Sequence, residues 1–341
     1  MSAFRLIEWG RPPERCEVPV PRPGYNETLL KVAGVGLCHT DLHFCDAPPG
    51  AFEYPAPFTL GHEVSGWVAE IGAGVTDLEP GDAVVSLAHS WCGSCVNCTQ
   101  GDDNYCLSCH TGLGFGADGG LAEYVLVARH SLVDVAGLDA VVAGQLACAG
   151  NTAYHAVKKV LQKLVPGTTA VVIGAGGVGT YAIQFLRALS ATRIVAVDTA
   201  RSRLSMAREA GADCTVLADA NLGEQLQAYS GDGGVRAVLD FVGTDETIAA
   251  ALATAGPLGS VGVIGGGGGT AHVSWSTIAR ECEVFIPQNG SLSDLREVVA
   301  MARSGAVKLH SEVFGFDQLE HAYELLRRGE LRGRAVVAMD Q

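Results

Sequence analysis

Short apolar segments separated by glycine and proline dominate about the first 140 residues of the chain. Residues 29–35, 64–71 and 83–86 are rich in valine and other small apolar side chains, and helical periodicity is scarce around them. We therefore predict a β-rich, loop-rich domain in this part of the chain.

The pattern changes near Cys148, where helical spacing and short buried strands begin to alternate. Predicted strands at 170–173, 194–197, 237–241 and 259–264 alternate with predicted helices at 152–164, 178–189, 201–210 and 246–253. Such alternation is typical of a parallel sheet with helices on both faces. The fold class is therefore α/β, with a doubly wound sheet of the Rossmann type after the β-rich domain.

The strict alternation ends near Pro287. Two more helices are expected at 292–304 and 319–328, and a last strand at 335–339. The glycine run from Gly265 to Gly269 follows a predicted strand, so we interpret it as a tight exit into a loop and not as a linker.

The 341 residues are enough for two domains that each bury a core. The chain carries 23 Lys and Arg against 37 Asp and Glu, a formal net charge of -14, which disfavours nucleic acids and anionic membranes as partners. No apolar run approaches the roughly 20 residues that cross a bilayer, and no signal peptide is recognisable. The eleven cysteines are odd in number and partly clustered, so we expect metal binding in a reducing cytoplasm rather than disulfides.

One short loop rich in Gly, Asn and Asp carries four cysteines: Cys92, Cys95, Cys98 and Cys106. Two residues separate each of the first three, and seven lead to the fourth, so one turning loop can present four thiolates tetrahedrally. Four unrelated buried cysteines are the alternative, which this spacing makes improbable. We predict a structural zinc site with no open position for a substrate, and we leave Cys109 and His110 outside it.

A second set of polar residues lies where two predicted strands meet loops. Residues 38–43, with the sequence Cys-His-Thr-Asp-Leu-His, follow the first strand, and His62 and Glu63 precede the next. A lone cysteine or histidine is more often a packed core residue than a ligand. Two such segments ahead of a dinucleotide-binding fold favour a catalytic zinc site.

A predicted strand leads into a glycine-rich turn and then a helix, and the turn residues are Gly174, Ala175, Gly176, Gly177, Val178 and Gly179. This order is the context that the dinucleotide-binding fingerprint requires, and the helix N-terminus is placed to hold a pyrophosphate. The glycines alone are a weak signal.

Asp198 strengthens that signal because it ends the next strand, where a carboxylate accepts hydrogen bonds from the adenosine ribose. A solvated Asp at a strand end is the alternative. An anionic side chain there would repel a 2′-phosphate, and Thr199 and Ala200 supply no cation to offset it. NAD is therefore favoured over NADP.

With these motifs in order, the chain resembles the zinc-dependent alcohol dehydrogenases of the medium-chain dehydrogenase/reductase superfamily over essentially its full length. The resemblance implies a GroES-like catalytic domain over residues 1–149, a Rossmann NAD-binding domain over 150–287 and a return to the catalytic domain over 288–341. It implies hydride transfer between NAD(H) and a primary or secondary alcohol or the matching aldehyde or ketone. Two zinc ions per chain, one catalytic and one structural, and a homodimer or homotetramer are also expected.

The resemblance assigns the catalytic zinc to Cys38, His62 and Cys148, the last standing where the family has a Cys or an Asp. Three protein ligands leave a position for water or the substrate oxygen, where zinc acts as a Lewis acid. Glu63 corresponds to the family's glutamate near the metal, and equally suits a buried structural carboxylate. Asp41 corresponds to the carboxylate that fixes the zinc-binding imidazole, with an ordinary surface Asp as the alternative.

The proton relay of the family corresponds to Thr40, beside the reacting oxygen, and His43, at the solvent end. His39 corresponds to a basic position near the pyrophosphate, where histidine in place of Arg predicts weaker binding of NAD(H) and fast product release. Three residues complete the expected cofactor site: Arg203, Val242 and Gly265.

The substrate pocket is expected to be lined by Phe52, Trp91, Leu113 and Asn289, with the Gly265 loop nearby. An apolar pocket above zinc would favour medium-sized aliphatic or aromatic alcohols. The alternatives are a polyol dehydrogenase of the sorbitol type, a non-catalytic zinc protein that senses NAD, and a zinc-free quinone or enoyl reductase that uses NADPH. The full cysteine quartet together with Cys148 favours the alcohol branch.

Overall fold

The computed structural model describes residues 1–52, 54–229 and 234–339. The chain forms two compact units, the first composed of Met1–Cys148 with Ser291–Gln341 and the second of Ala149–Gly290. Among the described residues, no helix is both long and apolar enough to cross a membrane.

The first unit begins as a set of mainly antiparallel strands. The strands are β1 (Ser2–Leu6), β2 (Glu14–Glu17), β3 (Glu27–Gly36), β4 (Phe58–Thr59), β5 (Glu63–Ile71), β6 (Ala83–Ser86), β7 (Gly112–Leu113), β8 (Gly116–Ala117), β9 (Tyr124–Ala128) and β10 (Leu132–Asp134). The α-helices between them are α1 (His39–Asp46) and α2 (Val96–Gln100). The predicted strands are confirmed within β3, β5 and β6, which are adjacent in one sheet.

The pairing of β3 with β5 explains why two segments distant in sequence meet. These strands are antiparallel, with Val35 opposite Val64 and Gly36 opposite Glu63. The residues just after β3 and just before β5 therefore lie at the same end of the sheet. Position 36 requires glycine because an added Cβ would lie 2.0 Å from Oε2 of Glu63.

Helix α1 departs from the expectation of little helix in this part of the chain. The backbone N–H of Cys38, just before the helix, donates to Oδ2 of Asp41 at 2.9 Å and so closes the first turn. The buried face combines the charged Asp41 with Leu42, Phe44 and Cys45. Helices are recognised in a sequence by a continuous apolar stripe, and a helix that buries a carboxylate lacks one.

The second unit is an alternation of helices and strands. Its helices are α3 (Ala149–Val160), α4 (Gly179–Leu189), α5 (Arg201–Glu209), α6 (Leu222–Gln227) and α7 (Asp245–Thr254). Its strands are β11 (Thr169–Ile173), β12 (Arg193–Asp198), β13 (Cys214–Leu217), β14 (Val235–Asp240), β15 (Ser260–Val263) and β16 (Glu283–Phe285). They form one parallel sheet in the order β13-β12-β11-β14-β15-β16. The predicted doubly wound sheet is confirmed.

The chain then returns to the first unit through α8 (Leu292–Arg303), β17 (Ser311–Gly315), α9 (Leu319–Arg328) and β18 (Arg334–Ala338). The two late helices and the last strand are thus confirmed. β18 is antiparallel to β3, with Val336 opposite Gly36, and Leu37 donates its N–H to the carbonyl of Ala335 at 2.9 Å. This register places Arg334 beside the start of the segment that carries Cys38.

Candidate metal centres and dinucleotide site

Cys38, His62, Glu63 and Cys148 converge at one end of the sheet in the first unit. One possible ligand atom from each lies within 4.8 Å of the others. Neither ring nitrogen of the buried His62 has a hydrogen-bond partner among the described residues, and Asp41 lies 3.3 Å from Nδ1, so Nε2 is the nitrogen left for a metal ion. Two sulfurs and one imidazole form a donor set that suits zinc. The structure therefore brings the expected ligands together, and their ligation of zinc stays a prediction.

The two thiols of this cluster are hydrogen-bonded to one another. That bond lowers the pKa of Cys38 well below its usual range, against the opposing effect of burial. The same bond, with burial, raises the pKa of Cys148 well above its usual range. A zinc ion binds both residues as thiolates, so its binding would displace any proton that the two sulfurs carry.

Asp41 is the residue of α1 that contacts His62. Its Oδ1 lies 3.3 Å from Nδ1 of the imidazole, and both side chains are buried. Burial opposes protonation of His62, but the Asp41 carboxylate outweighs this effect and raises the pKa of His62 well above its usual range. The surface alternative for Asp41 is therefore wrong, and its position suits a carboxylate that orients a metal-binding imidazole.

The other polar residues of α1 lie at graded depths. Thr40 is partly buried, with its Oγ1 3.5 Å from Sγ of Cys38. His39 and His43 are exposed and lie one helical turn apart. The order from the sulfur of Cys38 through a hydroxyl to an exposed imidazole is compatible with the expected relay, which stays a prediction.

Glu63 is held by an arginine that sequence analysis did not single out. Nε of Arg334 donates to Oε2 of Glu63 at 3.1 Å, and Nη2 of Arg334 donates to Oε1. Burial raises the pKa of Glu63 to about 7, although the guanidinium opposes that rise. The only sequence signal was a charged residue at the start of an otherwise apolar strand.

The cysteine quartet forms the second cluster of the first unit, and one sulfur from each of its four cysteines lies within 4.8 Å of the others. Sγ of Cys98 is 3.4 Å from Sγ of Cys95 and 4.0 Å from Sγ of Cys92. Zinc–sulfur bonds of about 2.3 Å in a tetrahedron place sulfurs about 3.8 Å apart, so these separations fit a shared zinc ion. Cys109 and His110 are outside the cluster.

Backbone N–H groups in the quartet loop donate hydrogen bonds to the cysteine sulfurs and so stabilise their thiolate forms. Cys95 donates its N–H to Sγ of Cys92 at 3.3 Å, and Cys92 donates its own to Sγ of Cys106 at 3.3 Å. The backbone N–H groups of Ser94 and Cys95 lower the pKa of Cys92 to about 5. Hydrogen bonds that stabilise a thiolate are those a zinc-binding loop requires.

Asp103 anchors the quartet loop within the first unit. Its Oδ1 accepts a hydrogen bond from the backbone N–H of Leu292, the first residue of α8, at 3.1 Å, and lies 3.0 Å from Nε2 of His89. A carboxylate at a helix N-terminus stabilises the helix. No local sequence pattern indicates a role for Asp103, because its partners are distant in the chain.

The glycine turn of the second unit has a distinct use for each fingerprint glycine. Gly174 has φ +87, which a side chain would disfavour, and so makes the turn after β11. Around Gly176 nothing lies within 4 Å of an added Cβ, so its backbone is open to a ligand. At Gly179 an added Cβ would lie 1.9 Å from the carbonyl oxygen of Gly174, so only glycine lets α4 approach. These three roles are those that a bound pyrophosphate requires of the fingerprint glycines. Gly177 and Val178 lie between Gly176 and Gly179.

Asp198 ends β12 and is nearly buried. Its Oδ2 accepts a hydrogen bond from the N–H of Ala175 in the glycine turn at 2.9 Å, and its Oδ1 accepts one from Ala200 at 2.9 Å. Arg203 approaches to 3.5 Å from Oδ1. The expected ribose-binding carboxylate therefore lies at the glycine turn, with a cation beside it that spacing alone did not place there.

The expected substrate residues have different environments. Phe52 stacks on Trp9, with ring centroids 5.0 Å apart, and Leu113 is buried in β7. The ring of Trp91 packs edge-on against His130 at 4.4 Å. In the second unit, Asn289 has φ +47 and its Oδ1 accepts a hydrogen bond from Thr152 at 3.2 Å. Their contact with substrate stays a prediction.

Comparisons with known proteins agree with this geometry. Residues 24–137 match the alcohol dehydrogenase GroES-like domain family, and residues 177–304 match the zinc-binding dehydrogenase family. An NAD-dependent alcohol dehydrogenase of Sulfurisphaera tokodaii is 32% identical over 99% of each chain. The solved alcohol dehydrogenase of Aeropyrum pernix superposes with a TM-score of 0.91 at 31% identity, over 99% of this chain and 100% of that one. The acetophenone reductase of Geotrichum candidum in complex with NAD superposes with a TM-score of 0.87 at 29% identity, over 99% of this chain and 96% of that one.

Proposed function

The chain belongs to the NAD-dependent, zinc-binding alcohol dehydrogenases, and from that premise we propose that its substrate is a medium-sized apolar or aromatic alcohol, or the matching aldehyde or ketone. The enzyme uses NAD(H) and two zinc ions per chain. We assign the reaction to the cluster of Cys38, His62 and Cys148, and a purely structural role to the quartet.

The observation that carries this assignment is the convergence of two thiols on the buried imidazole of His62. Three such ligands leave a fourth position for a substrate oxygen, whereas four sulfurs fill a tetrahedral zinc site. The two clusters therefore differ in chemistry even though both suit the same metal.

The residues of this chain perform the supporting steps. When bound, zinc supplies Lewis acidity that favours the ionised alcohol, and nicotinamide supplies the hydride acceptor. Oδ1 of Asp41 lies 3.3 Å from Nδ1 of His62, where the carboxylate would keep the proton on Nδ1 and leave Nε2 for the metal. The hydroxyl oxygen of Thr40 would take the alcohol proton while the same hydroxyl gives up its own proton, and the exposed imidazole of His43 would carry that proton on to water.

An aromatic wall beside His62 supports an apolar or aromatic substrate. The ring of Phe115 lies 4.7 Å from the imidazole of His62 and 5.6 Å from the ring of Phe44. Phe44 meets Phe52 edge-on at 4.8 Å, and Phe52 in turn stacks on Trp9. Phe52, Trp9 and Phe115 are only partly buried. Side chains of this kind would contact an alkyl chain or an aromatic ring.

A homodimer or homotetramer in the cytoplasm is also part of the proposal. β16 lies at an edge of the parallel sheet, and Ile286, directly after it, and Trp275, in the segment between β15 and β16, are 78% and 86% exposed. A sheet edge next to exposed apolar side chains favours pairing with another chain. The cytoplasmic location is supported by the two thiol clusters, which require reducing conditions.

The test is a Cys38→Ser variant compared with Cys16→Ser, a cysteine on β2 outside both clusters. We expect Cys38→Ser to retain about one zinc ion per chain, to lose turnover of benzyl-type alcohols with NAD, and to bind NADH as the unaltered enzyme does. Cys16→Ser should keep about two zinc ions and full turnover. Activity of Cys38→Ser comparable with the unaltered enzyme would overturn the assignment, and a preference for sorbitol over benzyl-type alcohols would overturn the substrate class.

A further inference from the structure

Asp240 is the last residue of β14 and is fully buried, although it carries a carboxylate. β14 and β15 are parallel neighbours, so the loops that follow them leave the sheet at the same end, the carboxyl end of the strands. These loops carry Val242 and Gly265, two residues of the expected cofactor site. A buried carboxylate at this point requires an explanation, because burial without partners is unfavourable.

The carboxylate and the carbonyl of Asp240 hold both loops. Oδ1 accepts hydrogen bonds from the backbone N–H of Val242 at 2.9 Å and of Gly243 at 3.1 Å. The main-chain oxygen of Asp240 accepts from Ile264 at 2.7 Å and from Gly265 at 3.0 Å. One residue therefore bonds to the first turn of each loop.

The two loops also press against each other with no room for side chains. A Cβ added to Gly265 would lie 2.4 Å from the carbonyl carbon of Val242, and one added to Gly243 would lie 2.0 Å from the oxygen of Gly265. A Cβ at Gly269 would lie 2.4 Å from the carbonyl carbon of Thr244. Backbone packed this closely fixes each loop against the other, so a shift of one displaces both.

Val242 connects this pair of loops to the glycine turn. A Cβ added to Gly174 would lie 2.8 Å from Cγ2 of Val242, so the valine side chain rests on the first fingerprint glycine. Strand order reverses around β11, with β12 on one side and β14 on the other. A dinucleotide spans such a switch point, and Asp198 on β12 marks the adenosine half. The other half then lies over β14 and β15.

We infer that Asp240 is a positioning residue for the nicotinamide half of the cofactor, acting through the loops that carry Val242 and Gly265. The inference rests on the cofactor site of the proposed function. Asp240 itself need not touch the cofactor, because its carboxylate bonds to the backbone beneath the loops.

The role of Asp240 depends on its acceptor oxygen. Asparagine at this position should therefore preserve cofactor binding, whereas alanine should weaken it. Burial raises the pKa of Asp240, and the hydrogen bonds from Thr247, Val242 and Gly243 oppose that rise. An amide keeps one oxygen for the two backbone donors, whereas a methyl group leaves both donors without a partner.

The experiment measures the Kd of NADH by fluorescence and of ADP-ribose by calorimetry, since ADP-ribose lacks the nicotinamide. We expect Asp240→Ala to weaken NADH binding at least about tenfold and ADP-ribose binding less than about threefold, with Asp240→Asn close to the unaltered enzyme for both. Gly265→Ala should repeat the selective loss of NADH binding, and it keeps the test available if Asp240→Ala does not fold.

The matched control is Asp213→Ala, because Asp213 accepts a hydrogen bond from the backbone N–H of Ile194 at 2.7 Å near the opposite edge of the same sheet. It should leave both affinities unchanged. Equal losses for NADH and ADP-ribose in Asp240→Ala and Gly265→Ala, or no loss for either, would overturn the inference and leave the proposed function intact. An unaltered enzyme that binds ADP-ribose but not NADH would overturn the cofactor site itself.

Discussion

Nε of Arg334 donates a hydrogen bond to Oε2 of Glu63 at 3.1 Å, and both side chains are shielded from solvent. The pair joins β18, from the end of the chain, to the start of β5. Because Glu63 belongs to the same cluster as Cys38 and His62, the arginine stabilises a carboxylate next to the proposed zinc ligands. The last strand of the chain therefore contributes to the charge balance of the metal centre.

Replacing Arg334 with Met should lower the free energy of unfolding by about 3–5 kcal/mol, because it leaves a buried carboxylate without its counter-charge. Urea unfolding of the zinc-loaded enzyme measures this loss. The control is Arg327→Met, which removes an ion pair with Asp46 whose side chains are each 54% exposed, and should cost less than about 1 kcal/mol. Similar losses for the two variants would contradict the role given to the buried pair.

Cys95→Ser should remove the zinc ion of the quartet and lower the temperature at which the first unit unfolds, because three thiolates hold zinc less tightly than four. Zinc content per chain and calorimetry check this. Cys109→Ser is the matched control, since Cys109 lies just beyond the loop and outside the cluster. A loss of zinc in Cys109→Ser would show that the quartet has been wrongly delimited.

Much of the fold was predictable in segments where the apolar residues follow a single helical or strand spacing. The strand at residues 83–86 and the helix at 319–328 were predicted with the bounds that β6 and α9 have. Short elements with mixed burial were not, and β13 and β16 are three or four residues long with few fully buried side chains. Their pairing with the neighbouring strand, and not their own pattern, makes them strands.

The site was predictable as far as residues follow a local spacing. The quartet and the glycine turn lie within short segments, so spacing alone indicated them. Arg334, Asp103 and Asp240 were missed because their partners are distant in sequence or are backbone N–H groups, which leave no pattern in the residue types. Strand register supplies this information, as the pairing of Gly36 with Glu63 illustrates.

Asp198→Asn should shift cofactor preference toward NADP, raising the ratio of kcat/KM for NADP to that for NAD by about tenfold or more. The amide removes the repulsion of a 2′-phosphate and leaves Arg203, now 3.5 Å from the carboxylate, available to it. Steady-state kinetics with both cofactors check this. The double variant Asp198→Asn/Arg203→Ala should lose most of the gain, and an unchanged ratio in the single variant would exclude Asp198 from cofactor discrimination.

Asp213→Asn should destabilise the enzyme at neutral pH by less than about 1 kcal/mol, since the side chain is 40% exposed. Burial would raise the pKa of Asp213, but the N–H of Ile194 and the guanidinium of Arg187 outweigh it and lower that pKa. A carboxyl whose pKa is lower in the folded state stabilises the fold above its unfolded pKa, and this contribution disappears as pH falls through the folded pKa. Urea midpoints of the two proteins should therefore differ above about pH 4 and converge as the pH falls further, and a difference that stays constant below that pH would contradict this account.

Phe115→Ala should raise the KM for benzyl-type alcohols about tenfold and change the KM for a short alcohol such as ethanol by less than about threefold, because only the larger substrate reaches an apolar wall. The prediction follows from the 4.7 Å between the rings of Phe115 and His62, which places an aromatic face beside the proposed zinc ligand.

Phe314→Ala is the matched control, since Phe314 is also partly buried but packs its ring against His321 on α9. It should leave both KM values unchanged. Zinc content must stay at that of the unaltered enzyme in both variants, so that a change in KM reports the pocket and not the metal. Equal changes for benzyl-type alcohols and ethanol would place Phe115 in the framework around His62 and remove it from substrate selection.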